Sequence, residues 1–144
     1  KVNYELVEYV VDESDLGAEH IAEQLGENIK QVFKTIVMHG DKTGKFVCVV
    51  PGDAEIDLKK AASVSRNKKC ATLPLKELLP TTGYIRGGCS PIGMKKQFPT
   101  YIDESAKNFE QIYVSAGIRG MQVKLSPKDL ANETKADFCD LIME

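Results

Sequence analysis

A lysine within an apolar strand is the first candidate for a chemical role. Lys34 lies in the segment 32–38, where most of the neighbouring residues are apolar. Such a lysine either extends its aliphatic chain until the ammonium reaches water, or it points into a cleft. In a cleft it would be a fixed positive charge for a phosphate or for a polarised carbonyl oxygen. Sequence alone favours the solvated alternative.

A glycine-rich run at residues 87–93 is the second candidate. Gly87 and Gly88 have no side chains, so a ligand could come close to their backbone N–H groups. Such groups can form an oxyanion hole, although a tight turn explains the same glycine pair. The run does not match the G-x-x-x-x-G-K-[ST] pattern of a P-loop.

The nucleophiles near this run lack a partner that would activate them. Cys89 and Ser90 would each need a base or a neighbouring cation, and neither of the chain's 2 histidines shows a triad pattern. We therefore interpret Cys89 as a packing residue. Ser115 could hydrogen-bond a ligand or cap a turn, and Tyr9 could place a hydroxyl in a cleft or pack as a strand aromatic.

The elements that must position these residues are strands and helices in mixed order. Hydrophobic periodicity predicts strands at 5–11, 33–38, 46–50, 100–103, 111–116 and 121–125. Start and stop signals predict helices from an Asp15 cap to Leu25, from Asp53 or Asp57 to Val64, over 74–79 with Pro80 closing it, from a Ser126 cap, and over 136–142. The second and third strands should form a hairpin. This mixture predicts an α+β fold in a single domain, residues 1–144.

Composition places the chain among ordinary globular proteins. It has 144 residues, 42% of them hydrophobic and 28% charged, which excludes intrinsic disorder and coiled coils. No apolar run approaches the roughly 18 residues of a membrane span and no secretory signal is visible, so we expect a cytoplasmic protein without a membrane partner. The 4 cysteines lie far apart without a C-x-x-C pair, so we expect neither a metal nor a cofactor.

The net charge of −2 hides a basic segment. Residues 59–96 carry nine bases and one acid, a net charge of +8, whereas the rest of the chain sums to −10. A solvated face explains this segment in most proteins. The alternative is a surface that follows phosphates, and its binding would weaken steeply with salt.

Six short motifs occur in an order that resembles a known enzyme family. They are Phe33-Lys34-Thr35, Thr82-Gly83-Tyr84, Gly87-Gly88-x-Ser90-Pro91-x-Gly93-x-Lys95-Lys96, Pro99-Thr100-x-Ile102-Asp103, Ile112-Tyr113-Val114-Ser115 and Arg119-Gly120. Together they resemble the YbaK/EbsC-type aminoacyl-tRNA deacylases of the prolyl-tRNA synthetase editing-domain superfamily. The resemblance runs from about Val2 to Ile142, and its Gly-Gly-x-Ser-Pro run points to the branch that clears cysteine from proline tRNA.

The resemblance implies a fold and a set of site residues. The fold is a central mixed, barrel-like sheet surrounded by helices, with a small pocket for the tRNA 3′ end and its amino acid. Lys34 and Gly87 take the catalytic positions. The substrate-binding positions fall on Tyr9, Tyr84, Gly88, Ser90, Pro91 and Ser115. Many members have an aspartate where this chain has Gln122, and an aliphatic residue is frequent where it has Cys89, which supports packing as the role of Cys89.

The resemblance also implies a reaction. The enzyme would clear cysteine mischarged onto tRNA(Pro), with the cysteine thiol of the substrate attacking its own ester. Its partners would be the mischarged 3′ end and prolyl-tRNA synthetase. Two alternatives remain open at this point. One is a deacylase that uses activated water on another small amino acid, such as alanine on tRNA(Pro), and the other is a non-catalytic tRNA-binding or regulatory module.

Overall fold

The strands of the protein form two sheets in the computed structural model, which describes residues 3–144. The smaller sheet has the order β1-β7-β6 and the larger one the order β4-β2-β3-β5-β8. The strands are β1 Tyr4–Glu8, β2 Phe33–Gly40, β3 Gly44–Pro51, β4 Cys70–Thr72, β5 Thr100–Asp103, β6 Ile112–Ser115, β7 Met121–Leu125 and β8 Asp137–Cys139. The helices are α1 Ala18–Leu25, α2 Leu58–Val64, α3 Leu78–Thr82 and α4 Pro127–Thr134, with 3₁₀ turns at Ile29–Gln31, Leu75–Glu77 and Glu104–Asn108.

The predicted hairpin of β2 and β3 is confirmed and forms the centre of the larger sheet. Its antiparallel register runs from Phe33 opposite Pro51 to Gly40 opposite Gly44. Successive side chains of a strand point to opposite faces, so β3 supplies two cores. Val47 and Val49 belong to one buried cluster, and the alternate residues of the strand belong to the other. Helices and the smaller sheet cover these faces, so the site lies at the edge of a sheet that is packed on both sides.

The α+β class is confirmed, and the strands divide between two sheets. A single parallel bridge joins Val32, next to β2, to Tyr113 in β6. Among residues 3–144 the sheets therefore meet at a point and do not close into one continuous barrel. This meeting point leaves the start of β2 with one edge unpaired, and the site lies there.

The predicted helix over 136–142 is wrong. Residues Asp137–Cys139 form β8, which pairs in parallel with β5 at the edge of the larger sheet. Beyond β8, Ile142 forms an isolated bridge with Ile56. A short apolar run fits a helix or a strand equally well, and the open edge of β5 decides between them.

Two helix boundaries also differ from the prediction. The cap of α1 is Gly17, while the Asp15 carboxylate accepts a longer bond of 3.3 Å from the Gly17 N–H before the helix begins. Pro80 does not close its helix, because it lies in the first turn of α3, where a missing N–H is tolerated. Gly83, with φ of +88°, ends that helix.

The remaining capping predictions are confirmed. Asp57 accepts bonds from the backbone N–H groups of Lys59 and Lys60 at the start of α2. Ser126 accepts one from Asp129 at the start of α4, with Pro127 in the first turn. In the described part of the chain, no helix has the length and apolar character needed to cross a membrane.

Candidate active site

A small cavity lies beside the unpaired edge of β2, with a volume of about 120 Å³. Its walls come from β2, from the chain before α1, from the glycine-rich run and from the paired ends of β6 and β7. They are formed by Leu16, Ala18, Ile21, Val32, Phe33, Lys34, Thr35, Gly87, Cys89, Ser115 and Gln122. The structure thus brings three predicted site residues, Lys34, Gly87 and Ser115, to one cavity.

The edge geometry of β2 explains why two neighbouring residues both reach the cavity. β3 pairs along one edge of β2 from Phe33 onwards, but β4 pairs with the other edge only at residues 38–40. Lys34 and Thr35 would normally point to opposite faces of the sheet. Because this edge carries no strand at their level, both can contribute to a cavity that opens beside it.

Lys34 is half-buried and lacks a counter-ion of its own. Burial lowers the pKa of its ammonium, and the more distant charges of Asp53 and Glu55 partly oppose this shift. Among residues 3–144, no carboxylate lies within ion-pair distance of Lys34, whereas the nearby Lys30 is paired with Asp53 at 2.9 Å. Partial desolvation strengthens the attraction between this free cation and an anionic ligand.

Gly87 needs the left-handed conformation that only glycine adopts readily. Its φ is +84°, and it lies in a turn closed by the N–H of Gly88 donating to the carbonyl of Ile85 at 2.9 Å. A Cβ on Gly87 would lie 3.3 Å from side-chain atoms of Leu16 and Arg119. This turn brings the Gly87 backbone to the cavity wall.

The turn at Gly87 and Gly88 packs against the segment that contains Ile118 and Arg119. Gly88 is buried, and a Cβ there would lie 3.4 Å from the backbone of Ile118 and Arg119. Arg119 donates from Nε to the carbonyl of Arg86 at 2.8 Å, which ties the Arg119-Gly120 motif to the glycine-rich run. Gly88 therefore acts on the position of the turn without lining the cavity.

Cys89 lines the cavity but is a poor nucleophile. Burial raises the pKa of its thiol to about 11, so the thiol stays protonated at neutral pH. A thiol needs the thiolate form to attack, and the two histidines lie elsewhere: His20 lines a different surface pocket and His39 is exposed in β2. Among residues 3–144, Ser115 has no base that accepts a hydrogen bond from its hydroxyl, which itself accepts one of 3.2 Å from the Gly117 N–H.

Two buried polar atoms at this cavity have no partner. Oγ1 of Thr35 and Oε1 of Gln122 are shielded from solvent, yet neither forms a hydrogen bond within residues 3–144. Gln122 is 2% exposed and is paired with Ser115 across β6 and β7. Sequence analysis assigned no role to Thr35, whose signal was its position directly after Lys34. At position 122 the family resemblance implied an acidic role, such as recognition of the amino group, and the glutamine of this chain put that role in doubt.

A wider groove of about 590 Å³ adjoins the cavity. The two share the walls Leu16, Ala18, Lys34 and Thr35. Beyond them the groove runs over β2 and β4 to the 3₁₀ turn at Leu75–Glu77 and to Arg86. A ligand with one part in the cavity and another in the groove would have Lys34 beside the junction of the two parts.

Two other predicted residues lie at a different place, a pocket of about 580 Å³ that we call the apolar pocket. Tyr84 and Ser90 belong to its walls, together with Tyr4, Ile92, Gly93, Ala116, Val123, Leu125 and Glu133. The Tyr84 hydroxyl donates to the carbonyl of Ile92 at 2.5 Å, and Ser90 accepts a bond of 3.2 Å from the Ile92 N–H. Their polar atoms hold the glycine-rich run in shape.

The remaining predicted residues are not in the walls of either space. Pro91 is buried in the glycine-rich run next to Ser90. Tyr9 is half-buried and packs with the cluster formed around Ile21 and Tyr113, while its backbone N–H donates to Gly120 at 2.9 Å. Ligand contacts of these residues stay predictions.

Known proteins with the same sequence pattern identify the family. The model of the aminoacyl-tRNA editing domain matches residues 11–133 of the chain. The chain belongs to the aminoacyl-tRNA editing domain family. The match contains all the residues that line the small cavity, from Leu16 to Gln122.

Relatives within the editing family span most of the chain. EbsC of Enterococcus faecalis, which bears the name of a Cys-tRNA(Pro)/Cys-tRNA(Cys) deacylase, is 52% identical over 141 residues, covering 98% of this chain and 86% of that protein. The proline–tRNA ligase of Fervidobacterium nodosum is 28% identical over 94 residues, covering 64% of this chain and 16% of the ligase. A crystal structure described as a trans-editing enzyme for prolyl-tRNA synthetase superposes with a TM-score of 0.86 at 26% identity, covering 98% of this chain and 87% of that one.

Proposed function

We propose that this editing domain is a trans-acting deacylase that clears cysteine from mischarged tRNA(Pro). The small cavity would receive the aminoacyl group and the adjoining groove the terminal adenosine. The name of the Enterococcus relative supports this choice of substrate, and residues 1–144 would act as one editing domain.

The position of Lys34 between a small and a large space carries the proposal. A cavity of about 150 Å³ is large enough for benzene, so the 120 Å³ of this cavity suits a small amino acid side chain. The groove of about 590 Å³ has room for a nucleoside. An aminoacylated 3′ end is a small acyl group joined by an ester to a nucleoside with a phosphate, and it matches this pair of spaces.

The cavity walls favour a reaction in which the substrate brings its own nucleophile. Cys89 is protonated at neutral pH, and within residues 3–144 the Ser115 hydroxyl donates to no base. The sulfur of the substrate cysteine would attack its own carbonyl carbon, forming a C–S bond while the bond to the ribose oxygen breaks. The thiol proton goes to that ribose oxygen, and the products are a cyclic thioester and free tRNA.

The protein then contributes positioning and electrostatics. Gly87 would orient the ester through its backbone N–H, which has no acceptor among residues 3–144. Lys34 would hold the phosphate or ribose of the terminal nucleotide as a cation, and it would not serve as a base. Proline lacks a thiol, so correctly charged tRNA(Pro) would be spared for a chemical reason.

The domain is small, so we propose that recognition of the tRNA body depends on a partner. Prolyl-tRNA synthetase is the candidate, because the Fervidobacterium proline–tRNA ligase contains a segment similar to this chain. Within the basic segment, Arg86 reaches the groove, and Lys60 is paired with Asp140 at 3.0 Å.

A panel of mischarged tRNAs tests the proposal. Purified protein is mixed with tRNA(Pro) carrying cysteine, alanine or proline, and loss of the ester is followed with Lys34→Ala as the control. We expect fast release of cysteine, slow or no release of alanine and proline, and little activity in the variant. Equal release of alanine and cysteine would instead support a water-activated deacylase, and tRNA binding without any release would support a regulatory module.

A further inference from the structure

The bases of the basic segment are divided among several places in the fold. Lys60 is paired with Asp140, and Arg86 reaches the groove beside the small cavity. Three others come together with two lysines of the β2–β3 hairpin at one end of the larger sheet. We call this cluster the basic tip, and its members are Lys42, Lys45, Arg66, Lys68 and Lys69.

The basic tip is a concentrated and unpaired positive charge. Residues 39–45 and 65–70 contain five bases and one acid, Asp41, which gives a net charge of +4. Among residues 3–144, none of the five bases has a carboxylate within ion-pair distance. Clustered free cations are the electrostatic footprint of a nucleic-acid ligand. We propose that the basic tip binds the phosphate backbone of the tRNA acceptor stem, an inference that rests on the proposed function.

Hydrogen bonds to the backbone hold the two loops of the basic tip together. Asn67, which is 9% exposed, accepts bonds of 2.8 Å from the N–H groups of residues 42 and 43. In the other direction, Asp41 accepts bonds of 2.9 and 3.2 Å from the N–H groups of residues 68 and 69. The loops therefore keep their shape without using the charged ends of their lysines, which stay free for a ligand.

The basic tip lies beyond the groove on the same sheet. Val37 of β2 lines the groove, and His39 is the next residue on that face of the strand, opposite Lys45. A strand rises about 3.3 Å per residue, so the end of β2 at Gly40 lies about 20 Å from Lys34. The few unpaired nucleotides at a tRNA 3′ end span a distance of this order. With the terminal adenosine in the groove, the start of the paired stem meets the basic tip.

The chemistry of the basic tip suits phosphates more than bases. Four of its five members are lysines, whose ammonium groups are point charges without the planar fork of arginine. Proteins recognise double-stranded RNA mostly by its shape and by its phosphates and 2′-hydroxyls. The basic tip therefore contributes affinity and orientation without reading tRNA identity, which is the part assigned above to a partner. Because phosphate contacts release counterions, this binding weakens steeply with salt.

Binding of an uncharged acceptor-stem minihelix tests the inference without any deacylation. Fluorescence anisotropy compares wild type, Lys68→Gln/Lys69→Gln and the matched control Lys107→Gln/Lys128→Gln, whose exposed lysines lie outside the tip. Each lost phosphate contact should reduce the slope of log K against log salt by about 1, so the tip variant should bind more weakly and with a shallower slope. Absence of salt-dependent binding in wild type, or equal affinities for the tip and control variants, would overturn the inference.

Two substrates of different length show where the contact lies. The basic tip can reach a cysteinyl minihelix, but cysteinyl-adenosine is too short to meet it. We expect Lys68→Gln/Lys69→Gln to lose about tenfold in kcat/KM on the minihelix through a higher KM, and to stay within about twofold of wild type on the adenosine ester. Equal losses on both esters would place the effect in the small cavity and refute the proposed contact. If wild type cleaves neither ester, the proposed function fails, and the minihelix titration still decides the inference.

Arg66→Gly separates the charge from a structural role. Arg66 follows α2 with φ of +65°, a conformation that glycine adopts with less strain. We therefore expect Arg66→Gly to equal or exceed wild type in Tm while binding the minihelix more weakly. A lower Tm with unchanged binding would show that Arg66 serves the fold and would remove it from the basic tip. A decaglutamate peptide that wild type binds more tightly than the minihelix, at equal salt, would assign the tip to an acidic protein and overturn the inference.

Discussion

The small cavity and the apolar pocket differ in how the fold uses their polar atoms. In the apolar pocket, Tyr84 and Ser90 both bond to the backbone of Ile92. In the small cavity, the Lys34 ammonium has no counter-ion in the described chain, and the oxygens of Thr35 and Gln122 have no partner. Polar atoms that the fold has already paired are poor ligand contacts, and atoms left unpaired at a stability cost are good ones.

This difference divides one set of motif residues into two roles. The Thr-Gly-Tyr and Gly-Gly-x-Ser-Pro motifs together shape the loop that presents Gly87. Tyr84 packs closely against two glycines of these loops. A Cβ on Gly93 would lie 2.9 Å from the Tyr84 hydroxyl, and a Cβ on Gly117 would lie 3.0 Å from the Tyr84 ring. In the small cavity, by contrast, the Lys34 ammonium and the oxygens of Thr35 and Gln122 stay unpaired within residues 3–144.

Lys34→Ala should have the largest effect on catalysis. Removing a partly desolvated cation from the junction of cavity and groove should lower kcat/KM for cysteinyl-tRNA(Pro) by about 100-fold or more. Initial deacylation rates measure this change. Lys128→Ala, which removes an exposed lysine on α4, is the matched control and should leave the rate unchanged. A Lys34→Ala enzyme within threefold of wild type would remove the lysine from the mechanism.

Gly87→Ala should have the second-largest effect on catalysis. A Cβ at φ of +84° introduces backbone strain of about 1 kcal/mol, and it would press against Leu16 and Arg119 at 3.3 Å. We expect about a tenfold loss of kcat/KM and a small loss of stability, measured by deacylation and urea unfolding. Gly44→Ala is a control for strain alone, because Gly44 also has positive φ but has open space around its Cβ position. It should lower stability without lowering activity.

Sequence analysis did not predict which motif residues shape the loop and which line the small cavity. The β2–β3 hairpin and the Asp57 and Ser126 caps were predictable, because periodicity and capping residues are local signals. The cavity position of Lys34, Gly87 and Ser115 was implied only by the family resemblance, since the residues alone favoured a solvated lysine and left turn roles open for the other two. The separation of Tyr84 and Ser90 from the cavity depends on how the loop folds back on Ile92, which no local pattern records. The strand Asp137–Cys139 likewise depends on an edge of β5 that is distant in sequence.

Tyr84→Phe should affect stability more than activity. The change removes the hydroxyl that donates to the Ile92 carbonyl and leaves that carbonyl without its partner. We expect the free energy of unfolding to fall by about 1 kcal/mol and kcat/KM to fall by no more than about threefold. Urea unfolding and deacylation assays on the same preparation give both values. A loss of activity as large as that of Lys34→Ala would erase the distinction between the two regions.

Cys89→Ala should have the smallest effect on activity. Since burial raises the pKa of this thiol to about 11, it remains protonated up to pH 9 and cannot serve as the attacking group. We expect kcat/KM within about twofold of wild type. Alkylation by iodoacetamide at pH 8, followed by peptide mapping, should label Cys89 much more slowly in the folded chain than in urea. An inactive Cys89→Ala enzyme that is still folded would favour a protein nucleophile.

The source of the nucleophile is decided by one pair of substrates. 2-Aminobutyrate has a methyl group where cysteine has its thiol. Both amino acids are loaded onto tRNA(Pro), and the two esters are given to the wild-type protein at equal concentration. If the substrate thiol attacks its own ester, the cysteinyl ester is cleaved and the 2-aminobutyryl ester persists at its spontaneous rate. Cleavage of both esters at similar rates would refute substrate-assisted attack and assign the reaction to activated water.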